Sequence, residues 1–154
     1  MFRQSRLKRR IDGRIELRLP KAERILLKSL PSQVAELIEA GDPSTVRIFP
    51  PAYPDDPDAE AEYKSIARSG LLDRHRRALQ VIADTADAGL LDPEEAQLWL
   101  AALNDMRLVI GTRLGVTEDM GPPPPADDPT APARAVYDYL TWLQQMLVEV
   151  ISSK

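Results

Sequence analysis

One helical segment constrains the fold of this chain more than any other stretch. It begins at Asp92-Pro93-Glu94-Glu95, where aspartate can cap the helix, proline suits its first turn and Glu95 occupies the capping-box position. Large apolar residues then recur at intervals of three and four, and Gly115 can end the helix in a left-handed conformation. The spacing predicts a buried helix with an apolar stripe of Trp99, Leu103, Met106, Ile110 and Leu114.

The same segment carries polar residues that a packing helix does not need. Gly111 stands among them, and a glycine inside a helix costs about 1 kcal/mol relative to alanine, so it often marks a close approach of another backbone. Two interpretations stay open: a polar network that fixes the position of the helix, or a binding site for an anion or a partner protein. The candidates for that site are Asn104, Asp105, Arg107 and Arg113.

Three further segments have helical spacing. The first follows Pro20 and contains Ala22, Ile25, Leu26 and Leu30, and Pro31 then predicts either two short helices or one kinked helix. The second runs from residue 58 to 90, with an apolar stripe through Ile66 and Leu79, and the third from about 131 to 152. We therefore predict a mainly α fold, a bundle of four to five helices with an N-terminal β-hairpin.

The length of 154 residues suits one domain. We predict a single domain over residues 1–154. Its parts are a basic β-hairpin at 2–19, a helical core at 20–116 with a proline-rich loop at 46–57, a proline-rich linker at 117–130 and a C-terminal helix at 131–152.

Residues 2–19 have the pattern of a hairpin, because apolar and charged residues alternate and Asp12-Gly13 supplies a turn. A three-residue loop with Gly13 left-handed pairs Leu7 with Leu17 and Lys8 with Glu16, which keeps one face apolar. The opposite face either is solvated and partly neutralised by the chain's own carboxylates, which we favour, or binds nucleic acid or an acidic protein. Its basic residues are Arg6, Lys8, Arg10, Arg14 and Arg18.

Charge and composition narrow the class of protein. Residues 1–24 carry nine Lys or Arg against three Asp or Glu, whereas the rest of the chain carries eleven against twenty-one. This asymmetry suggests self-association, intramolecular pairing or an anionic partner. Cysteine is absent, so disulfides, thiolate catalysis and Cys-based zinc sites are excluded. No signal peptide pattern and no membrane-length apolar run is present. We expect a cytoplasmic protein without a metal or other cofactor, and with no membrane partner.

Two side chains outside the central segment could take part in chemistry. His75 is the sole histidine, and without an evident carboxylate partner it is more often structural than catalytic. Tyr53 lies in the proline-rich loop, which we interpret as an ordered cover over the core, with a ligand-binding lip as the alternative. An enzyme would need a pocket uniting Tyr53, His75, Asp105, Arg107 and Arg113.

The last helix has more apolar surface than a simple amphipathic helix. Val136, Leu140, Leu143, Leu147 and Val150 form a heptad-like seam. A second strip beside it either lies deep between helices or forms a subunit interface, and we expect a homodimer. This strip contains Tyr139, Trp142 and Met146.

Four stretches of the chain resemble an actinobacterial family catalogued mainly as a domain of unknown function. They are RIFPPAYPDD at 47–56, the E-x-EY of 60–63, WLAALNDMRL at 99–108 and GTRLGVTED at 111–119. The resemblance covers most of the chain and implies a helical cytoplasmic protein, and some members are described as transcriptional or oxidative-stress regulators. It implies no catalytic residues. A redox role in this family relies on cysteines, so the lack of cysteine excludes a disulfide switch here.

This resemblance, more than the chemistry of the residues, implies a non-enzymatic regulatory or interaction protein that modulates transcription or a stress response through a protein partner. A small-molecule or anion-binding protein, or an enzyme, with a site near Asn104, Arg107 and Arg113 is one alternative. A nucleic-acid binder that uses the basic hairpin is the other.

Overall fold

Four helices and a small sheet form the described part of the protein, residues 6–115 and 121–153 of a computed structural model. The sheet is antiparallel, with strands in the order β1, β2, β3. The mainly α prediction, with an N-terminal hairpin, is confirmed. The elements are β1 (Leu7–Arg9), β2 (Ile15–Leu17), α1 (Lys21–Ala40), a 3₁₀ turn (Pro43–Thr45), α2 (Pro57–Thr85), β3 (Leu90–Leu91), α3 (Pro93–Leu114) and α4 (Ala131–Ser152).

Parts of four predicted segments lie outside the described residues: 2–5 of the hairpin, residue 116 of the helical core, 117–120 of the proline-rich linker and 116–119 of the last stretch of family resemblance. The single-domain organisation stays a prediction.

The hairpin has the register that its alternation predicts. Leu7 lies opposite Leu17 and Lys8 opposite Glu16. The loop between the strands closes through a 2.8 Å hydrogen bond from the Arg10 amide to the Arg14 carbonyl, and Gly13 takes the left-handed φ of 88°. A three-residue loop is thus confirmed, and its glycine supplies a conformation that L side chains rarely adopt.

The third strand was not predicted. The sequence pattern predicts a helix to residue 90, but α2 ends at Thr85, so that prediction is wrong at its C-terminal end. Gly89, with a φ of 75°, redirects the chain, and its carbonyl accepts a 2.9 Å hydrogen bond from the Leu17 amide. Leu91 then lies opposite Ile15, which completes the sheet.

A single helix, α1, continues through Pro31, which excludes the alternative of two short helices. The proline ring is buried together with Leu27, Val34 and Ile38. Ile25, predicted to face the core, is 56% exposed, because the buried face is the one that begins at Leu27. The ring therefore contributes apolar packing at the position where its missing amide costs a helical hydrogen bond.

The central helix α3 packs against α1, α2 and α4. Its predicted capping box is present, since the Asp92 carboxylate accepts the Glu95 amide at 2.7 Å and Glu95 accepts the Asp92 amide at 2.9 Å. Trp99 is fully buried, and its indole N–H donates to the Thr85 hydroxyl at 2.7 Å. Gly115 ends the helix with a left-handed φ of 69°, as predicted.

The first half of α2 extends beyond the core. None of residues 57–71 is buried, and Ile66 is 74% exposed, so the predicted apolar stripe is wrong for this half. The buried residues of α2 are Ala78, Leu79 and Ile82. With 29 residues against 20 in α1, α2 is about 13 Å longer than its neighbour at 1.5 Å per residue.

We expect Leu103→Ala to lower the free energy of unfolding by about 2–5 kcal/mol, because the side chain is fully buried at the centre of α3 and its removal leaves a cavity. Ile66→Ala is the control, since a 74% exposed side chain should change that free energy by less than about 0.5 kcal/mol. Urea denaturation measures both. Equal losses in the two variants would contradict the different burial of these positions.

Candidate functional site

A cleft of about 350 Å³ opens between the C-terminal end of α1, the 3₁₀ turn with the loop after it, and the first half of α2. This volume lies at the small end of the range for ligand-binding pockets. The lining is mostly apolar, and four charged side chains accompany it. The apolar residues include Ile38, Val46, Ile48, Phe49, Tyr63 and Leu71, and the charged ones are Asp42, Glu60, Lys64 and Arg68.

The two carboxylates of the cleft hold the surrounding backbone. Asp42 accepts a 2.9 Å hydrogen bond from the Ser44 amide and a second from the Ser44 hydroxyl. These bonds lower the pKa of Asp42, with a smaller contribution from the charge of Arg113. Glu60 accepts the amide of Tyr53 at 2.8 Å. Both carboxylates therefore already accept hydrogen bonds from backbone amides of the same chain.

The two cations of the cleft make no ion pair with the described residues. Lys64 and Arg68 are one turn apart on α2, and both are exposed. The Arg68 guanidinium lies at the rim, where a Cβ built on Gly41 would be 3.5 Å from its Nη2. Like charges at this helical spacing repel by about 0.2–0.5 kcal/mol, so this part of the cleft is suited to an anion.

Next to the cleft, a histidine connects α2 with α3. His75 Nδ1 lies 2.6 Å from Oδ2 of Asp105, and Asp105 is only 3% exposed. The Phe49 ring, which lines the cleft, meets the imidazole edge-on with the ring centroids 5.2 Å apart. No sequence pattern indicates this carboxylate partner, because thirty residues separate the two side chains.

The candidate residues of α3 lie in separate contacts. Asn104 accepts a 3.0 Å hydrogen bond from Arg107, whose buried Nε has no partner among the described residues. Arg113 Nη2 lies 3.9 Å from Asp42 Oδ2. The structure brings Asp105 to His75 and places none of the four candidates on the cleft lining. Their proposed role in binding an anion or a partner stays a prediction.

Tyr53, the fifth candidate, is half exposed on the proline-rich loop. Its ring meets Tyr63 edge-on at a centroid distance of 6.2 Å, and it does not line the cleft. The pocket that an enzyme would need, with Tyr53, His75, Asp105, Arg107 and Arg113 together, is therefore not formed by this cleft. Lys64 and Arg68, the two cations of the cleft, belong to none of the motifs recognised in the sequence.

On the hairpin, carboxylates of the same chain pair with three of the five predicted basic residues. Arg18 lies 2.7 Å from Glu16, and Arg6 lies 3.2 Å from Glu23. Arg14 reaches Asp12 at 3.8 Å. Lys8 and Arg10 have no such partner in the described ranges. This partial neutralisation agrees with a solvated face, and nucleic-acid binding stays a prediction.

The second strip of α4 is partly engaged within the chain. The Tyr139 hydroxyl donates to Glu23 at 2.7 Å, and burial, followed by this carboxylate, raises the pKa of Tyr139. Trp142 is 39% exposed and stacks at a tilt on Tyr139, while Met146 is partly buried. The seam beside the strip faces the core, since Leu140, Leu143 and Leu147 are fully buried. The homodimer stays a prediction.

In residues 6–115 and 121–153, no three His, Asp or Glu side chains come together in a way that could hold a metal ion. None of the helices described there combines the length and the apolar character needed to cross a membrane.

These observations describe a helical bundle with an N-terminal sheet and an amphipathic cleft. The chain belongs to the family described as a domain of unknown function, DUF2017, whose model matches residues 3–151. The resemblance to a family with that description is confirmed.

Named relatives come from mycobacteria. The chain is 34% identical over 128 residues to the oxidative stress regulator AosR of Mycobacterium tuberculosis and of Mycobacterium bovis. A Mycobacterium leprae protein with the AosR name is 33% identical over 124 residues. The first alignment covers 72% of this chain and 59% of the relative, and the M. leprae alignment covers 70% and 57%. The chain thus spans less than two thirds of the length of these relatives. No solved structure matches it.

A double-mutant cycle of His75→Ala and Asp105→Ala tests the pair beside the cleft. We expect a coupling energy of about 1–3 kcal/mol, because His75→Ala leaves a buried carboxylate without the hydrogen bond that the structure shows. The control cycle uses Asp73 and Arg76, an exposed pair at 3.2 Å, whose coupling should be below about 1 kcal/mol. Additive losses in the His75–Asp105 cycle, measured by urea unfolding, would contradict the contact.

The raised pKa of Tyr139 predicts that the folded protein loses stability at alkaline pH. Because its pKa is raised in the folded protein, its contribution is fully present below the ordinary tyrosine pKa of 10.0 and is lost as pH rises above it. Wild-type protein should therefore lose stability above pH 10 more steeply than Tyr139→Phe, which cannot ionise. Urea midpoints from pH 8 to 11.5 measure this difference. Parallel curves for the two proteins would show that the hydroxyl is not held in its neutral form.

Proposed function

We propose that this protein is a non-enzymatic regulator of a stress response that acts by binding another protein in the cytoplasm. Its similarity to proteins named oxidative stress regulators supports a regulatory role. The chain contains no cysteine, so a thiol of its own cannot be the sensor in this proposal. The proposal assigns the sensing of the stress to a partner protein or to a ligand.

The projecting half of α2 is the observation that carries the proposal. Residues 57–71 form a continuous helix in which no residue is buried, and Ile66 is 74% exposed on it. Helices in proteins obtain most of their stability from packing, so a helix with this much free surface is suited to pack against a partner.

Local signals hold this helix in place without a partner. The Asp56 carboxylate accepts the Ala59 amide at 3.1 Å, Pro57 occupies the first turn, and Asp58 adds a negative charge near the positive end of the helix dipole. The docking surface is therefore preformed, which lowers the entropy cost of binding.

Ile66→Glu in the native host tests this proposal. We expect the variant to reproduce the transcript profile of a deletion strain under peroxide stress, because a charge on the projecting helix opposes apolar packing. Ile25→Glu is the matched control, since Ile25 is 56% exposed on α1 and should retain the wild-type profile. Circular dichroism of both purified variants checks that the helices are intact.

Two results would contradict the proposal, each in a different way. A deletion strain with a wild-type peroxide response would refute the regulatory role. If the deletion strain is defective and the Ile66→Glu variant fully complements it, the regulatory role stands. The projecting half of α2 is then not the docking surface.

A further inference from the structure

We propose that the cleft between the 3₁₀ turn and α2 binds a small molecule with an apolar body and one terminal carboxylate, such as an acyl or aryl acid. This site is separate from the docking surface of the proposed regulator. Ile66 does not line the cleft, and the helical period places it about 200° around α2 from Lys64. The inference therefore does not depend on the proposed function.

The shape and the lining of the cleft determine the apolar part of the ligand. About 350 Å³ is enough for a small molecule and too little for the surface of a folded partner. Val46 is 56% exposed at this site, and Ile48 and Phe49 are only partly buried, so apolar surface remains for a ligand to cover. An aliphatic or aromatic body would remove that surface from water.

Charge determines the other end of the ligand. Lys64 and Arg68 are the charged lining side chains that have neither a hydrogen bond nor an ion pair with the described residues, and a carboxylate can accept from both. The cleft also contains Asp42 and Glu60, which would repel an anion. Their hydrogen bonds to Ser44 and Tyr53 hold them to the backbone, so the cations are the groups free to turn towards a ligand.

Isothermal titration calorimetry of the full chain with straight-chain probes below their micellar concentrations tests the site. We expect decanoate to bind saturably at one site per chain. From hexanoate to decanoate the affinity should rise about threefold to fourfold for each added methylene, as expected for burial of apolar surface. Decanol and decylamine, which have the same chain without the carboxylate, should bind at least tenfold more weakly than decanoate, roughly the value of one charged hydrogen bond.

Charge reversal locates the carboxylate. Lys64→Glu/Arg68→Glu should weaken decanoate binding roughly tenfold or more. Lys8→Glu/Arg10→Glu is the matched control, because it changes the net charge equally at two exposed hairpin residues and should leave the affinity unchanged. Arg68→Gln, which keeps most of the side chain, is the second variant if the double reversal impairs folding, and it should weaken binding at least threefold.

Three results would overturn the proposal. If decanoate gives no saturable isotherm at millimolar concentration, the site does not exist. If decylamine binds as tightly as decanoate, the cleft does not select a carboxylate. An equal loss of affinity in the cleft variant and the hairpin variant would show general attraction to net charge instead of a site at Lys64 and Arg68.

Discussion

The burial of a carboxylate in the central helix is the constraint on which the arrangement around the cleft depends. Helix α3 packs against all three other helices, and Asp105 lies among its fully buried apolar residues. A charge or polar group in that position is costly unless it is hydrogen-bonded. His75 satisfies it from α2, which fixes how α2 is rotated against α3. Phe49 then packs on the imidazole and brings the proline-rich loop to the same end of the bundle.

Features that depend on residues close in sequence could be predicted from the sequence. The capping box at Asp92, the end of α3 at Gly115 and the hairpin register each follow from side chains a few positions apart. The stripe on α2 failed because periodicity shows which face of a helix is apolar but not whether another element covers it. Ile66 follows the apolar pattern of α2, yet its side chain is 74% exposed because no described element covers it.

The candidate site illustrates the same limit. Sequence spacing places four candidate residues on one helix, but their contacts are with three different regions. These residues are Asn104, Asp105, Arg107 and Arg113. The cleft instead combines α1, the 3₁₀ turn and α2, in which no motif links the contributing residues. Two of the stretches of family resemblance, 47–56 and 60–63, contribute to its lining, and Asp105 of 99–108 is connected through His75 to the lining residue Phe49. Only the tertiary structure shows that these stretches meet.

The third strand has a consequence for the order of events during synthesis. Residues 15 and 16 of β2 pair with residues 91 and 90, which are translated only after the whole of α2. The nascent hairpin therefore emerges with its second edge unpaired, and the sheet is completed only when the turn at Gly89 has formed. Arg9 makes its contacts with the carbonyls of Ile151 and Ser153 later still. The N-terminal strands are the first part of the described chain to be made and among the last to reach their final neighbours.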